Sequence, residues 1–102
     1  MMGNSERYKI LLNALQWYSG PAQIDKAEEE CAELIVALKH FKLGKATAQD
    51  IISEIADVEI MSKQMQILFG EDAVRKEIDR KLERLQKRIN AEKKLNNDGK
   101  DN

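Results

Sequence analysis

Apolar residues recur at spacings of three and four along most of the chain, and this period predicts amphipathic helices. No stretch alternates apolar and polar residues with the period of two that a half-buried strand requires. The pattern divides into four predicted helices, over Arg7–Tyr18, about Ala22–Phe41, Thr47 to about Phe69, and Glu71 or Asp72 to about Leu95. The fold class is therefore predicted to be all-α, a four-helix bundle.

Capping and turn-forming residues separate these segments. Ser5 is a candidate N-cap for the first helix, and the Ser-Gly-Pro run at 19–21 is expected to end it. Thr47, with Asp50 three residues later, predicts a capping box at the start of the third helix. Gly70 suits the position just after the end of that helix.

Two apolar stripes indicate how the helices pack. The stripe on the second helix is expected to form core, with Cys31 as a small buried residue, and it consists of Ile24, Ala27, Cys31, Leu34, Ile35 and Leu38. The stripe on the fourth helix has coiled-coil spacing, and it consists of Val74, Ile78, Leu82, Leu85 and Ile89. Such a seam, in a chain with a small core, predicts a partner subunit.

Two pairs of carboxylates border the apolar stripes of the second and third helices. Glu30 and Glu33 form one pair and Glu54 and Asp57 the other, each at a spacing of i,i+3. On a helix that spacing places both side chains on one face, roughly 5–6 Å apart at Cβ. A helix hairpin would therefore bring four carboxylates together.

The local sequence supplies almost no positive charge to these acids. Lys26 stands four residues before Glu30, but no Lys or Arg lies three or four residues from Glu33, Glu54 or Asp57. Carboxylates at close range repel one another unless a cation holds them. Oxygen-only ligands select hard divalent ions, so the pattern predicts a Mg²⁺ site, with Mn²⁺ as the other candidate.

Composition and charge narrow the class further. The chain has 102 residues, enough for one domain, which is predicted over 1–95 and followed by a disordered polar tail at 96–102. Its net charge is −1, but residues 1–73 carry −5 and residues 74–95 carry +5. A single cysteine excludes an intrachain disulfide, and no apolar run is long enough for a membrane span. These features predict a cytoplasmic protein without membrane association.

The acidic motifs also carry a family resemblance. The run at 23–34, the block at 54–61 and the charged closing segment at 81–88 resemble the MazG-like all-α nucleoside triphosphate pyrophosphohydrolases. The pattern of that family is ExxE followed by ExxD, and here 20 residues separate Glu33 from Glu54, which fits its interval. The resemblance covers residues from about 10 to 89.

The resemblance implies a helical bundle that assembles as a dimer or tetramer and cleaves an NTP or dNTP to a monophosphate and pyrophosphate. It implies Glu30, Glu33, Glu54 and Asp57 as the catalytic acids and the Mg²⁺ ligands, and it matches Glu29 to an extra acid of open role. In this chemistry a metal-activated water attacks the α-phosphorus. Which acid accepts the proton stays open.

Substrate contacts are predicted from two other places. Lys81, Arg84 and Arg88 share one side of the last helix and are candidates for binding phosphate, although a solvated, salt-bridged face or a subunit contact fits them too. Trp17 is a candidate stacking platform for a base, and Gln23 a candidate reader of base edges. Packing is the alternative for Trp17.

Three other classes of protein are alternatives to a nucleotide pyrophosphohydrolase. A non-catalytic helical interaction module is the main alternative, and it requires the four acids to be dispensable. A di-iron carboxylate bundle needs Glu-x-x-His motifs, but Ala37 stands three residues before the only histidine, His40, which is expected to be a surface or helix-capping residue. No nucleic-acid-binding motif accompanies the basic helix, so no nucleic-acid polymer is expected as a partner.

Overall fold

The computed structural model describes residues 1–100, which fold entirely into helices and connections without any strand. The all-α prediction is therefore confirmed. The chain divides into two compact units, one ending at Gly70 and one beginning at Glu71. The helices are α1 (Asn4–Tyr18), α2 (Gly20–Lys42), α3 (Ala48–Phe69) and α4 (Glu71–Lys100).

The junction between α1 and α2 is a single residue. Ser19 adopts a positive φ of 85°, unusual for a residue with a Cβ, and its side chain accepts a hydrogen bond from the Ala22 N–H. Pro21 lies in the first turn of α2, where its missing N–H costs nothing. The predicted break at 19–21 is confirmed, but Gly3, not Ser5, occupies the N-cap of α1.

A Schellman motif ends α2. The Lys45 N–H donates to the His40 carbonyl at 2.8 Å, and the Gly44 N–H donates to the Phe41 carbonyl at 3.0 Å. Gly44 has a φ of +72°, which a glycine adopts without a steric penalty. The motif fixes the position at which the chain turns towards α3.

Both ends of α3 follow the sequence prediction. Thr47 Oγ1 accepts from the Asp50 N–H at 3.2 Å, and Asp50 Oδ2 accepts from the Thr47 N–H at 2.8 Å, so the capping box is confirmed. Gly70, at a φ of 124°, ends the helix, and its N–H donates to the Gln66 carbonyl.

Helices α2 and α3 form an antiparallel hairpin whose register is set by a buried contact between Gln23 and Gln64. Because both helices rise equally per residue, counting inward from this contact gives the opposing pairs. Seven residues in, Glu30 opposes Asp57, and ten residues in, Glu33 opposes Glu54. The hairpin therefore places the two predicted acid pairs face to face.

Few apolar side chains are buried in the described chain. Met61 is the one apolar residue that counts as buried there. The expectation of a buried stripe on α2 is wrong for Cys31, Ile35 and Leu38, which are all exposed. These positions fall at i, i+4 and i+7, so together they form an apolar side of α2 that the rest of the first unit leaves exposed.

Helix α4 forms the second unit, and it carries Ile78, Leu82 and Leu85 exposed at their seam spacing. It is helical five residues beyond its predicted end at Leu95, so residues 96–100 are helix where a disordered tail was expected. The last two residues of that predicted tail lie outside the described part. The assignment of one domain over 1–95 stays a prediction. None of the described helices combines the length and the apolar character that crossing a membrane requires.

Candidate metal centre

Three of the four predicted acids converge at the middle of the α2–α3 hairpin. One carboxylate oxygen each from Glu30, Glu33 and Glu54 lies within 4.8 Å of the other two. Glu30 and Glu33 come from successive turns of α2, and Glu54 comes from the facing turn of α3. A cation placed between them would receive oxygen ligands from both helices.

The burial of these acids differs, and it leaves two oxygen atoms without a partner. Glu30 is only 7% exposed and Glu54 is half-buried, whereas Glu33 is exposed. Glu30 Oε2 and Glu54 Oε2 are both shielded from solvent and accept no hydrogen bond. A buried carboxylate oxygen without a partner is costly, and a bound cation would remove that cost. The donor set of oxygens alone fits Mg²⁺ or Mn²⁺.

Lys26 supplies the one cation in contact with this cluster among the described residues. Its Nζ lies 3.1 Å from Glu30 Oε1 and 3.7 Å from Glu29 Oε1. Hydrogen bonding to Glu30 and the charge of Glu29 raise the pKa of Lys26, so the amine stays protonated. One positive charge does not balance three convergent carboxylates, and the cluster keeps an excess of negative charge.

The mutual repulsion of the carboxylates changes the pKa of Glu33. The negative charge of Glu30 is the largest cause that raises the pKa of Glu33 above its ordinary value, followed by desolvation and by the charge of Glu54. This direction is what like charges at short range produce. The cluster therefore disfavours the ionised form of Glu33.

Asp57 is not part of the three-residue convergence. It is half-buried on α3, one turn after Glu54 and opposite Glu30 in the hairpin register. Its side chain is one methylene shorter than that of Glu, which reduces its reach across the helix interface. Its predicted role as a metal ligand stays a prediction.

A groove of about 550 Å³ adjoins the cluster and runs towards the α2–α3 loop. Alanines in its lining leave space between the charged side chains. The lining consists of Glu29, Ala32, Glu33, Val36, Ala37, His40, Lys45, Ala46, Asp50 and Glu54. Lys45 and Asp50 line this groove, although neither was predicted as a site residue. Gly44 is the sequence feature that could have indicated Lys45. A glycine in the left-handed conformation after a helix turns the next residue back over the helix end.

The residues predicted to contact the base lie towards the α1–α2 end of the hairpin. Gln23 is buried, and its amide already donates to Gln64. Trp17 is 83% exposed on α1, where Asn13 and Gln16 line a shallow concavity beside it. Both substrate contacts stay predictions, and the exposure of Trp17 leaves its ring accessible for stacking.

The predicted phosphate-binding side chains lie in the second unit. Lys81, Arg84 and Arg88 are exposed along α4. Lys81 Nζ lies 4.0 Å from Glu77, which also binds Arg80. Lys81 thus has an acidic neighbour on its own helix, and both phosphate binding by these three residues and the salt-bridged alternative stay predictions.

Comparisons with protein-family models, with curated proteins and with solved structures found no match to this chain. A functional assignment therefore depends on the acid cluster, on the groove beside it and on the resemblance of the two acidic motifs to the MazG-like pattern.

Proposed function

We propose that this protein is a MazG-like, Mg²⁺-dependent nucleotide pyrophosphohydrolase. The observation that carries the proposal is the convergence of Glu30, Glu33 and Glu54 from two helices, with two buried carboxylate oxygens that lack a partner. Acid pairs on a solvated helix face would leave their oxygens in water. The order of the motifs, ExxE before ExxD, resembles the MazG-like pattern, and this resemblance connects the proposed metal site with nucleotide chemistry.

The carboxylates of Glu30, Glu33 and Glu54 would hold the ions, and Asp57 would be the fourth ligand. Bound divalent ions supply charge neutralisation for the phosphates and lower the pKa of a coordinated water. Glu30 is fixed by burial and by Lys26, so it suits a constant ligand. Glu33 is exposed on the groove side, where it can meet substrate.

The reaction adds water across the α–β anhydride bond. The water oxygen bonds to the α-phosphorus, the bond to the β-phosphate oxygen breaks, and the products are a nucleoside monophosphate and pyrophosphate. A carboxylate of the cluster accepts the proton that the water loses. The groove between α2 and α3 provides the space beside the acids that a polyphosphate requires.

A homo-oligomer, either a dimer or a tetramer, belongs to the proposal. The apolar side of α2 at Cys31, Ile35 and Leu38 is exposed, and exposed apolar areas of this kind mark sites of association. A chain of 102 residues that buries so little apolar surface gains stability from a partner copy. We also propose a cytoplasmic location, because a chain with a single cysteine forms no intrachain disulfide.

An assay of purified protein with Mg²⁺ tests the proposal directly. A panel of canonical and modified NTPs and dNTPs is incubated with the protein, and pyrophosphate and monophosphate are both measured. We expect the wild type to release pyrophosphate and monophosphate in equal amounts. Both products should disappear when EDTA is added, and neither should form with the Glu54→Gln or the Asp57→Asn variant. Glu28→Gln is the control, because Glu28 is an exposed acid of α2 that lies outside the cluster. Full activity in both acid variants would contradict the assignment.

The second candidate function is a non-catalytic interaction module, which the exposed apolar side of α2 favours. It predicts no product with any nucleotide and no effect of Mg²⁺ on stability. A Mg²⁺-dependent rise in melting temperature that Glu54→Gln abolishes would separate the two, because a specific ligand of the folded state stabilises it by mass action.

A further inference from the structure

The groove beside the acid cluster ends in two nitrogen-bearing side chains to which the proposed function gives no role. Its lining on α2 extends from Glu33 to His40, seven residues or about 10 Å along the helix axis. Lys45 follows at the α2–α3 loop. The groove thus carries the acids of the cluster at one end, and at the loop it carries His40 and Lys45 beside Asp50.

The main chain holds the two residues of the basic end together. The Lys45 N–H donates to the His40 carbonyl at 2.8 Å, in the motif that Gly44 closes at its φ of +72°. Neither side chain takes part in an ion pair within the described chain, and both are exposed. Their backbone is fixed, while their nitrogen atoms are available to a ligand.

The charges along the groove specify the kind of ligand. Its lining holds four acids, Glu29, Glu33, Asp50 and Glu54, against one lysine. A polyphosphate alone would be repelled by this excess of negative charge. A complex of polyphosphate with a divalent ion presents its cation to the acids and leaves phosphate oxygens for the basic end.

We infer that Lys45 and His40 bind the terminal phosphate of the substrate, which becomes part of the leaving pyrophosphate. The inference rests on the proposed function, because the divalent ion at the acid cluster sets the orientation of the phosphate chain. Lys45 supplies an ammonium with three donors and His40 supplies a ring N–H. This assigns a phosphate subsite to the hairpin itself, in addition to the predicted basic face of α4.

The simpler reading of these residues is that they offset the negative end of the α2 dipole. Lys39 and Lys42 lie in the same last turn and serve that purpose equally well. Neither of them lines the groove. Lys42→Gln is therefore a matched control that removes the same charge near the same helix end.

The test is calorimetric titration of inorganic pyrophosphate into the full-length protein in MgCl₂. The variants are Lys45→Gln, His40→Ala and Lys42→Gln, each checked for folding by circular dichroism. Lys45→Gln keeps the main-chain bond to the His40 carbonyl, so the loop is preserved. We expect pyrophosphate binding about tenfold weaker in Lys45→Gln, weaker in His40→Ala and unchanged in Lys42→Gln. Lys45→Arg is expected to retain most of the affinity.

The outcomes separate this inference from the proposed function. Equal binding by wild type and Lys45→Gln, or an equal loss in Lys42→Gln, would overturn the subsite, as would no binding of pyrophosphate by the wild type. Release of pyrophosphate from nucleotides by the wild type is measured separately, and it tests the proposed function of the acid cluster. An active enzyme whose Lys45→Gln variant has wild-type affinity for pyrophosphate would retain the function without the subsite.

Discussion

Gln23 Nε2 donates a hydrogen bond of 2.6 Å to Gln64 Oε1 across the interface of α2 and α3. Both residues are buried, at 7% and 4% exposure, and Gln64 Nε2 turns towards the sulfur of Met61 at 3.9 Å. One hydrogen bond joins the two amides, in a contact that spans 41 positions of the sequence. This contact fixes the register that sets Glu33 opposite Glu54, so the polar pair positions the acid cluster two to three turns away.

Replacing one glutamine of this pair is expected to lower the free energy of unfolding more than replacing both. Gln23→Leu and Gln64→Leu each leave a buried amide unpaired, at about 1–3 kcal/mol of unfolding free energy. The double variant replaces both by apolar groups and is expected to recover much of that loss. Urea denaturation of the four proteins in a double-mutant cycle measures the coupling. Additive losses would show that the two amides stabilise the fold independently.

The convergence of carboxylates is expected to destabilise the metal-free protein. The folded state raises the pKa of Glu33 above its ordinary value of 4.5, so folding favours the protonated form. In EDTA, stability should therefore rise as the pH falls from 7 through the raised pKa towards 4.5. Glu33→Gln should melt at a higher temperature than wild type in EDTA at pH 7 and lose that pH-dependent component. Glu28→Gln, in the same helix, should follow the wild type.

Saturating Mg²⁺ should reverse the order of melting temperatures, so that the wild type melts at a higher temperature than Glu33→Gln. The wild type gains about 2.7 kcal/mol at a free Mg²⁺ concentration 100 times its dissociation constant, while Glu33→Gln has lost a ligand and gains less. Differential scanning calorimetry in EDTA and in MgCl₂ measures both melting temperatures. A Mg²⁺-dependent shift of the same size in wild type and Glu33→Gln would exclude Glu33 as a ligand.

The capping box of α3 contributes stability that depends on pH. Hydrogen bonds from the backbone and then the side chain of Thr47 lower the pKa of Asp50 below its ordinary value of 3.8. The contribution of the Asp50 carboxylate is therefore present above pH 3.8 and is lost as the pH falls through the lowered pKa. Thr47→Ala should cost about 1 kcal/mol at pH 7. A cost in Thr47→Ala that stays constant down to pH 2 would contradict this coupling.

The sequence predicts most of the fold because its helix ends are encoded locally. The capping box of Thr47 and the glycine at 70 lie within a few residues of the ends they define. The pairing of the acids on each helix is also encoded by periodicity, since i,i+3 spacing places both members of a pair on one face. Contacts between distant residues are not encoded in this way. Nothing near Gln23 indicates that Gln64 binds its amide, and nothing near Cys31 indicates that its side of α2 stays uncovered.

The uncovered side of α2 leads to a prediction about assembly. Ile35 is 56% exposed and Leu38 is 42% exposed, on the same side of the helix as Cys31. If a second copy covers this side, the protein should run as a dimer or larger species in light scattering at micromolar concentration. Ile35→Glu with Leu38→Glu should shift it towards the monomer, because two buried charges at an interface lack partners. Lys39→Glu, beside them but already charged and exposed, is the control. A wild type that is monomeric under these conditions would exclude self-association through this side and leave its apolar surface for another partner.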